Sequence, residues 1–183
     1  MSSSKEHTIL VAHPQDLDSS LLRQITRNIS KIFGCRTGTA LMIEDIQFAF
    51  DQARNQYYST LILERIADLA PGDVTKVLGI VNVDLFIPVL THVYGEAQLG
   101  GKTAIISTFR LEEGLPVIDN PKAFYVRVVK EAIHELGHTF NLRHCPDPTC
   151  IMHYCRSVKD VDRKSEQLCR YCKILLADEM KKL

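Results

Sequence analysis

Five residues, His134-Glu135-Leu136-Gly137-His138, constrain this chain more than any other stretch. On an α-helix, positions four apart differ by only about 40° in direction, so both imidazoles share a face about 6 Å apart. That spacing lets two neutral histidines hold one zinc ion at about 2.0–2.1 Å each. Glu135 lies one step round the helix, within reach of a water activated by the metal, and can take its proton. His144 follows six residues after His138. A straight helix would carry it away, so the chain must turn sharply in between. Three histidines with one open position suit a catalytic zinc better than a structural one. The five-residue motif also arises by chance. Read alone, it leaves Glu131 and Glu135 as solvated helix residues beside partly buried histidines.

At 183 residues the chain can build one domain with a real core but not two full ones. Lys plus Arg equal Asp plus Glu at 22 each, which gives no support to a polyanionic partner such as nucleic acid. Residues Met1 to Glu6 lack the apolar core of a signal peptide. No run approaches the ~18 consecutive apolar residues of a membrane span. The expected location is cytoplasmic. Five of the six cysteines fall between Cys145 and Cys172. In that setting clustered cysteines point to metal ligands rather than disulfides.

Along the chain, Thr8 to Ala12 reads as a buried strand. Asp16 and Asp18 can cap a helix whose apolar positions are Leu22, Ile25, Ile29 and Ile32, and Gly34 ends it. Thr37 to Ile43 reads as a strand, and Glu44 to Gln56 as loop. Tyr58, Ile62, Ile66 and Leu69 mark a second amphipathic helix, stopped by Pro71-Gly72. Strands are expected at Val77 to Val83, more weakly at Thr91 to Gln98, and at Thr103 to Ser107, with Gly100-Gly101 in a tight connection. After breaks at Pro116 and Pro121, a long helix should run from Pro121 to about Asn141. Val126, Val129, Ile133 and Leu136 supply its main buried face, widened by Val128 and Ala132. A last helix is expected from Arg170 to Lys181. The order of elements predicts an α/β sandwich with a mixed sheet.

His144, then Met152 within Cys150-Ile151-Met152-His153-Tyr154, then paired cysteines form a constellation that coincidence rarely produces. It resembles the metzincin clan, and within it the archaemetzincins. The clan pattern is an extended zinc motif followed by a turn containing a methionine. Its histidines fall on His134, His138 and His144, its base on Glu135, and its turn methionine on Met152. The motif match spans residues 134 to 172, and the layout from residue 8 to 120 is similar too, including Gly95 to Gly101. The resemblance implies an α/β fold with a mixed, mostly parallel five-stranded twisted sheet, two backing helices and an active-site helix. On that expectation residues 1–183 form one catalytic domain. Residues 1–141 would be its N-terminal subdomain and 142–183 a small zinc-stabilised C-terminal one.

Cys145, Cys150, Cys169 and Cys172 match the spacing that follows the third histidine in archaemetzincins, which implies a second, structural zinc and so two Zn2+ per chain. On residue chemistry alone, Cys169-x-x-Cys172 is a common half-site, and Cys155 could replace Cys150, since each follows another cysteine by five positions. The site would pin a segment short of apolar residues. Cys35 is expected to be a buried thiol. Met152 would form an apolar floor under the histidines. Tyr154 resembles a tyrosine that some metzincins bring near the zinc to stabilise an oxyanion, with core packing as the competing reading. His153, His92, His7 and His13 read as ordinary histidines. At the helix end the family glycine is Asn141 here. Glycine serves a positive φ there, and asparagine is the next most tolerant residue, so the turn should form at some cost.

The resemblance implies a zinc metallopeptidase (a metalloprotease) acting as a monomer on a peptide or protein laid along the edge strand near Thr91 to Gln98. Endopeptidase and aminopeptidase remain open alternatives. A non-catalytic module of the same fold, whose two metal sites stabilise it or bind a partner, is the competing class. A zinc-ribbon nucleic-acid binder fits less well, because Asp160 and Asp162 interleave with Arg156, Lys159, Arg163 and Lys164.

Overall fold

The computed structural model describes residues 7–115 and 121–183, so the expected break at Pro116 lies outside the described residues. In chain order the elements are β1 (Thr8–His13), α1 (Ser19–Phe33), β2 (Arg36–Leu41), β3 (Phe50–Asp51), β4 (Gln56–Tyr58), α2 (Ser59–Leu69) and β5 (Lys76–Val81). They continue with β6 (Leu85–Phe86), β7 (Gly95–Ala97), β8 (Thr103–Ser107), α3 (Pro121–Thr139), α4 (Val158–Arg163) and α5 (Arg170–Met180).

Side-chain alternation along the strands decides which layer each residue joins. Ile9 and Val11 of β1, Leu78 and Ile80 of β5, and Ala104 and Ile106 of β8 face the core shared with α1 and α3. Leu10 and Ala12, Val77 and Val81, and Ile105 face the opposite core, which α2 covers. Buried on both faces, these strands read as continuous apolar runs, as parallel strands do. The five-stranded sheet has the order β2-β1-β5-β8-β7, parallel except for β7 at one edge. The expected α/β layout with a mostly parallel sheet is therefore present. Among the described residues no helix is long and apolar enough to cross a membrane.

Several local expectations shift. Helix α1 buries Leu21, Ile25, Ile29 and Phe33, while Leu22 and Ile32 only flank that core. Both sets have helical spacing. The start decides between them: Asp18 caps the helix by accepting from the backbone N–H groups of Ser20 and Leu21, both at 2.8 Å. The stretch read as loop from Glu44 to Gln56 contains β3 and the first residue of β4, an antiparallel pair, and β4 in turn pairs with β6. Strands of two or three residues carry too little alternation to be seen in sequence.

This small hairpin matters for the site because it holds the following loop. Arg54 Nη2 donates to the carbonyls of Leu90 (2.8 Å) and Thr91 (3.2 Å), and Gln56 Nε2 donates to that of Thr91 at 2.9 Å. Strand β7 is anchored from the other side. Its Glu96 carboxylate accepts hydrogen bonds from the Ser59 and Thr60 hydroxyls at the start of α2, an end that receives no side-chain cap from Tyr58. The C-terminal segment is not short of apolar residues, as the sequence had suggested. Ile151, Met152, Val158, Val161, Leu168 and Leu176 are buried in the same core as α1 and α3.

Candidate active site

Helix α3 was expected to bury one face, yet its second half is enclosed nearly all round. Val126, expected in the buried stripe, is only partly covered. Its polar residues are matched individually. Arg127 forms a two-pronged pair with Asp162 at 2.8 Å for each prong and donates to the carbonyls of Leu111 and Glu113. Lys130 Nζ donates to the carbonyls of Val161 (2.9 Å) and Asp162 (3.2 Å). Glu131 accepts from Lys164 at 2.7 Å, both side chains being almost wholly buried. Glu131 and Glu135 are thus not solvated helix residues; they are 3% and 7% exposed. An ion pair so deeply buried persists only with close geometry, which the 2.7 Å contact supplies.

The histidines are oriented by main-chain carbonyls. His134 Nδ1 lies 2.9 Å from the Ile151 oxygen, and His138 Nδ1 lies 2.7 Å from the Leu142 oxygen. A carbonyl oxygen only accepts, so each Nδ1 carries the proton and donates it. Burial lowers the pKa of both rings, most strongly for His134, so both are neutral. Each Nε2 is then an unprotonated lone pair, and the two Nε2 atoms face each other at 3.2 Å. Two acceptors pointed at one another repel unless a cation lies between them. Tetrahedral zinc with bonds of 2.0–2.1 Å would separate two nitrogens by about 3.3 Å, so the pair fits that ion.

The turn that returns the third imidazole is built at Asn141, whose φ is 62°. The N–H of Leu142 donates to the Gly137 carbonyl (3.0 Å), and that of Asn141 to the His138 carbonyl (2.9 Å). Those two bonds make a Schellman motif, with Asn141 where glycine is usual. The expected turn is therefore made. Replacing Asn141 by alanine should lower stability by about 1–2 kcal/mol, read as a shift in urea midpoint with zinc present, whereas glycine should hold or raise it. Beyond the turn, the His144 ring stacks toward that of His134 with 5.3 Å between centroids and lies 4.9 Å from that of His138. Ligand atoms of all three fall within 4.8 Å of one another. Burial lowers the pKa of His144 too.

Glu135 sits beneath the edge strand. A Cβ at Gly95 would come within 2.6 Å of both the Glu135 Cγ and the Ile105 carbonyl oxygen, so only glycine lets β7 pass this close. Burial, followed by the charge of Glu131, raises the Glu135 carboxyl well above its ordinary value. Below the helix, Met152 is fully buried, and a Cβ at Gly137 would collide with its Sδ and Cε. The thioether thus packs directly under the five-residue motif. Tyr154 is 42% exposed and its ring lies 5.0 Å from that of His144, which rules out core packing.

A second cluster forms beside the first. Cys145, Cys150, Cys169 and Cys172 bring their sulfurs within 4.8 Å of one another, and Cys155 is not among them. Cys145 and Cys169 sulfurs are 3.8 Å apart, close to the ~3.8 Å edge of a tetrahedral zinc site with 2.3 Å bonds. Backbone N–H groups of Cys169 and Cys172 donate to the sulfurs of Cys150 (3.3 Å) and Cys169 (3.5 Å). The second of these holds the Cys169 thiol pKa down, while burial pushes Cys145 and Cys172 up. Cys35 is a buried thiol, as expected.

The histidines and Glu135 open into a cleft of about 400 Å³, also lined by Ile87, Leu90, His92 and Tyr94 on one side and Tyr154 to Arg156 on the other. His92 was not singled out by sequence. No spacing partner marks it, and only the hairpin-held loop brings it here. His153 instead supports the chain locally, its Nδ1 lying 2.8 Å from the Cys145 carbonyl oxygen.

The sequence profile of Peptidase family M54 matches residues 18–178. The chain belongs to that family. An archaemetzincin of Methanopyrus kandleri is 39% identical over 136 residues, covering 74% of each chain. The crystal structure of archaemetzincin from that organism superimposes with a TM-score of 0.85 at 31% identity and covers 98% of both chains. A zinc-dependent peptidase from Methanocorpusculum labreanum gives a TM-score of 0.75 at 27% identity, covering 92% of this chain and 99% of that one. Family M54 comprises zinc metallopeptidases, so the histidine set falls in a chain of the matching chemical class, with the fold of archaemetzincins.

Proposed function

We propose that this M54 protein hydrolyses peptide bonds at the His134–His138–His144 site with Glu135 as general base, and that the four cysteines hold a structural zinc. The observation that carries the reading is the pair of unprotonated Nε2 atoms 3.2 Å apart, each fixed by a carbonyl behind it. When bound, the metal supplies Lewis acidity, which polarises a carbonyl and lowers the pKa of water.

This chain's own residues supply the rest. Glu135 takes a proton from the attacking water and passes it to the leaving amine. Its enclosure under β7 keeps bulk water from competing for that proton. Strand β7, the edge strand of the sheet among the described residues, pairs with the backbone of an extended substrate. Tyr154, exposed beside His144, donates to the oxyanion. Met152 supports the helix from beneath through Gly137. Residues 142–183 act as a zinc-held subdomain that positions His144. The proposed setting is a monomer in the cytoplasm, where cysteines outside disulfides, as all six are here, would stay reduced.

The reading is tested by metal removal. Zinc-loaded protein should cleave members of a random peptide library, chelation should abolish cleavage at least a hundredfold, and added zinc should restore it. Mass spectrometry of the products gives the scissile positions. Absence of cleavage across the library with zinc bound at both clusters would refute the enzyme.

A further inference from the structure

The cleft wall after the methionine turn carries a charge that the proposed chemistry does not use. Arg156 lines the cleft together with Tyr154 and Cys155. Its guanidinium makes no hydrogen bond or ion pair among the described residues. Its backbone is nevertheless fixed, since the Arg156 N–H donates to Asp160 Oδ2 at 3.1 Å. The same carboxylate accepts from the Ser157 N–H and hydroxyl in the capping box that starts α4.

The other charges lining the cleft are accounted for. Glu131 is paired with Lys164 at 2.7 Å. Glu135 sits with the histidines. The neighbouring Cys155 thiol is pushed up to about 11 by burial and stays neutral. A peptide lying along β7 would therefore pass a fixed-backbone cation whose planar fork has no partner among the described residues. Guanidinium groups recognise carboxylates through two parallel N–H···O bonds, with a geometry that an ammonium lacks.

We propose that Arg156 is a specificity-determining residue that selects peptides carrying a carboxylate within about three residues of the scissile bond. The proposal rests on the peptidase reading for its meaning in catalysis. The carboxylate is either an Asp or Glu side chain or the free C-terminus of the peptide. Both present the same two oxygens to the fork.

The test uses zinc-loaded protein and short peptides in which Asp or Glu is exchanged for Asn or Gln at each position, each made with a free and an amidated C-terminus. Cleavage ratios are measured, and binding is followed by fluorescence anisotropy in a Glu135→Gln background. Carboxylate peptides should be preferred roughly fivefold, the scale of an exposed ion pair. That ratio should fall to about one in Arg156→Gln, be only partly kept by Arg156→Lys, and shrink with added salt. The arm that carries the preference identifies the source as side chain or chain end. Equal treatment of carboxylate and amide peptides overturns the inference, as does a preference that survives in Arg156→Gln. If nothing is cleaved but Arg156-dependent carboxylate binding remains, the peptidase reading falls and the recognition site stands. If neither cleavage nor binding is seen, both fall. Because Arg156 is exposed, both variants should keep the parent melting temperature.

Discussion

Glu135→Gln should lose about a thousandfold in kcat/KM for a cleavable peptide, within the range of positioned acid–base catalysis, while zinc at the histidines is retained. The amide matches the carboxyl in shape, and shape is restrictive here because β7 passes so close at Gly95 that a Cβ there would come within 2.6 Å of the Glu135 Cγ. Gln cannot accept the proton, so the loss should fall on kcat with little change in KM. The metal-free protein supplies a control on folding. The Glu135 carboxyl is raised in the folded state, chiefly by burial. A group raised in this way makes the fold less stable as pH climbs from the unfolded carboxylate value up through the folded one. Metal-free Glu135→Gln should therefore melt no lower than its parent at neutral pH. A loss of activity accompanied by a lower melting temperature or lost zinc would mean the variant had damaged the scaffold rather than removed a base.

Cys172→Ser should have the larger structural effect. Free energies of about 10 kcal/mol and more accompany zinc binding to four-ligand structural sites, and removing one thiolate forfeits much of that. The damage should spread to the histidines through connections along the chain. Cys145 directly follows His144, and Cys150 directly precedes Ile151, whose carbonyl orients His134. The Cys145 N–H also donates to the Met152 carbonyl at 2.9 Å, tying that cysteine to the floor under the helix. The expected result is loss of one zinc, a large fall in melting temperature, and at least tenfold weaker zinc affinity at the remaining site. Cys155→Ser, outside the cluster, should change neither metal content nor melting temperature by comparison. Equal behaviour of the two variants would remove the case for a structural metal.

Legibility in the sequence divides by the range of the interaction. The apolar runs of β1, β5 and β8 and the spacing in α3 are local patterns, so the sheet and the central helix could be read directly. The register of α1 could not, because two offset apolar sets both fit and only the Asp18 cap chooses between them. The hairpin β3–β4 is too short for periodicity, yet it positions the loop that brings His92 into the cleft. His134, His138 and the Cys169–Cys172 half-site were legible because ligand spacing is a short-range code, whereas the choice of Cys150 over Cys155 rested on the resemblance and is visible only in the folded cluster. The support of the ligands was not legible. The carbonyls of Ile151 and Leu142 have no side-chain signature, and the Lys164–Glu131 pair joins residues that sequence alone leaves as unrelated surface charges. Apolar content in the C-terminal segment was underestimated for a related reason. Its buried residues are scattered among cysteines, prolines and charges, and they gain their core only by packing on α3.

The central claim is that three imidazoles converge on a zinc ion with Glu135 beside it. Zinc content after dialysis against buffered free zinc, determined for the parent and for His138→Ala, tests it most directly. The account predicts two zinc ions per chain in the parent, one for each ligand cluster, and loss of one in the variant with the thiolate-bound ion kept. A parent that saturates at one ion, or a His138→Ala protein that still binds two, would contradict it.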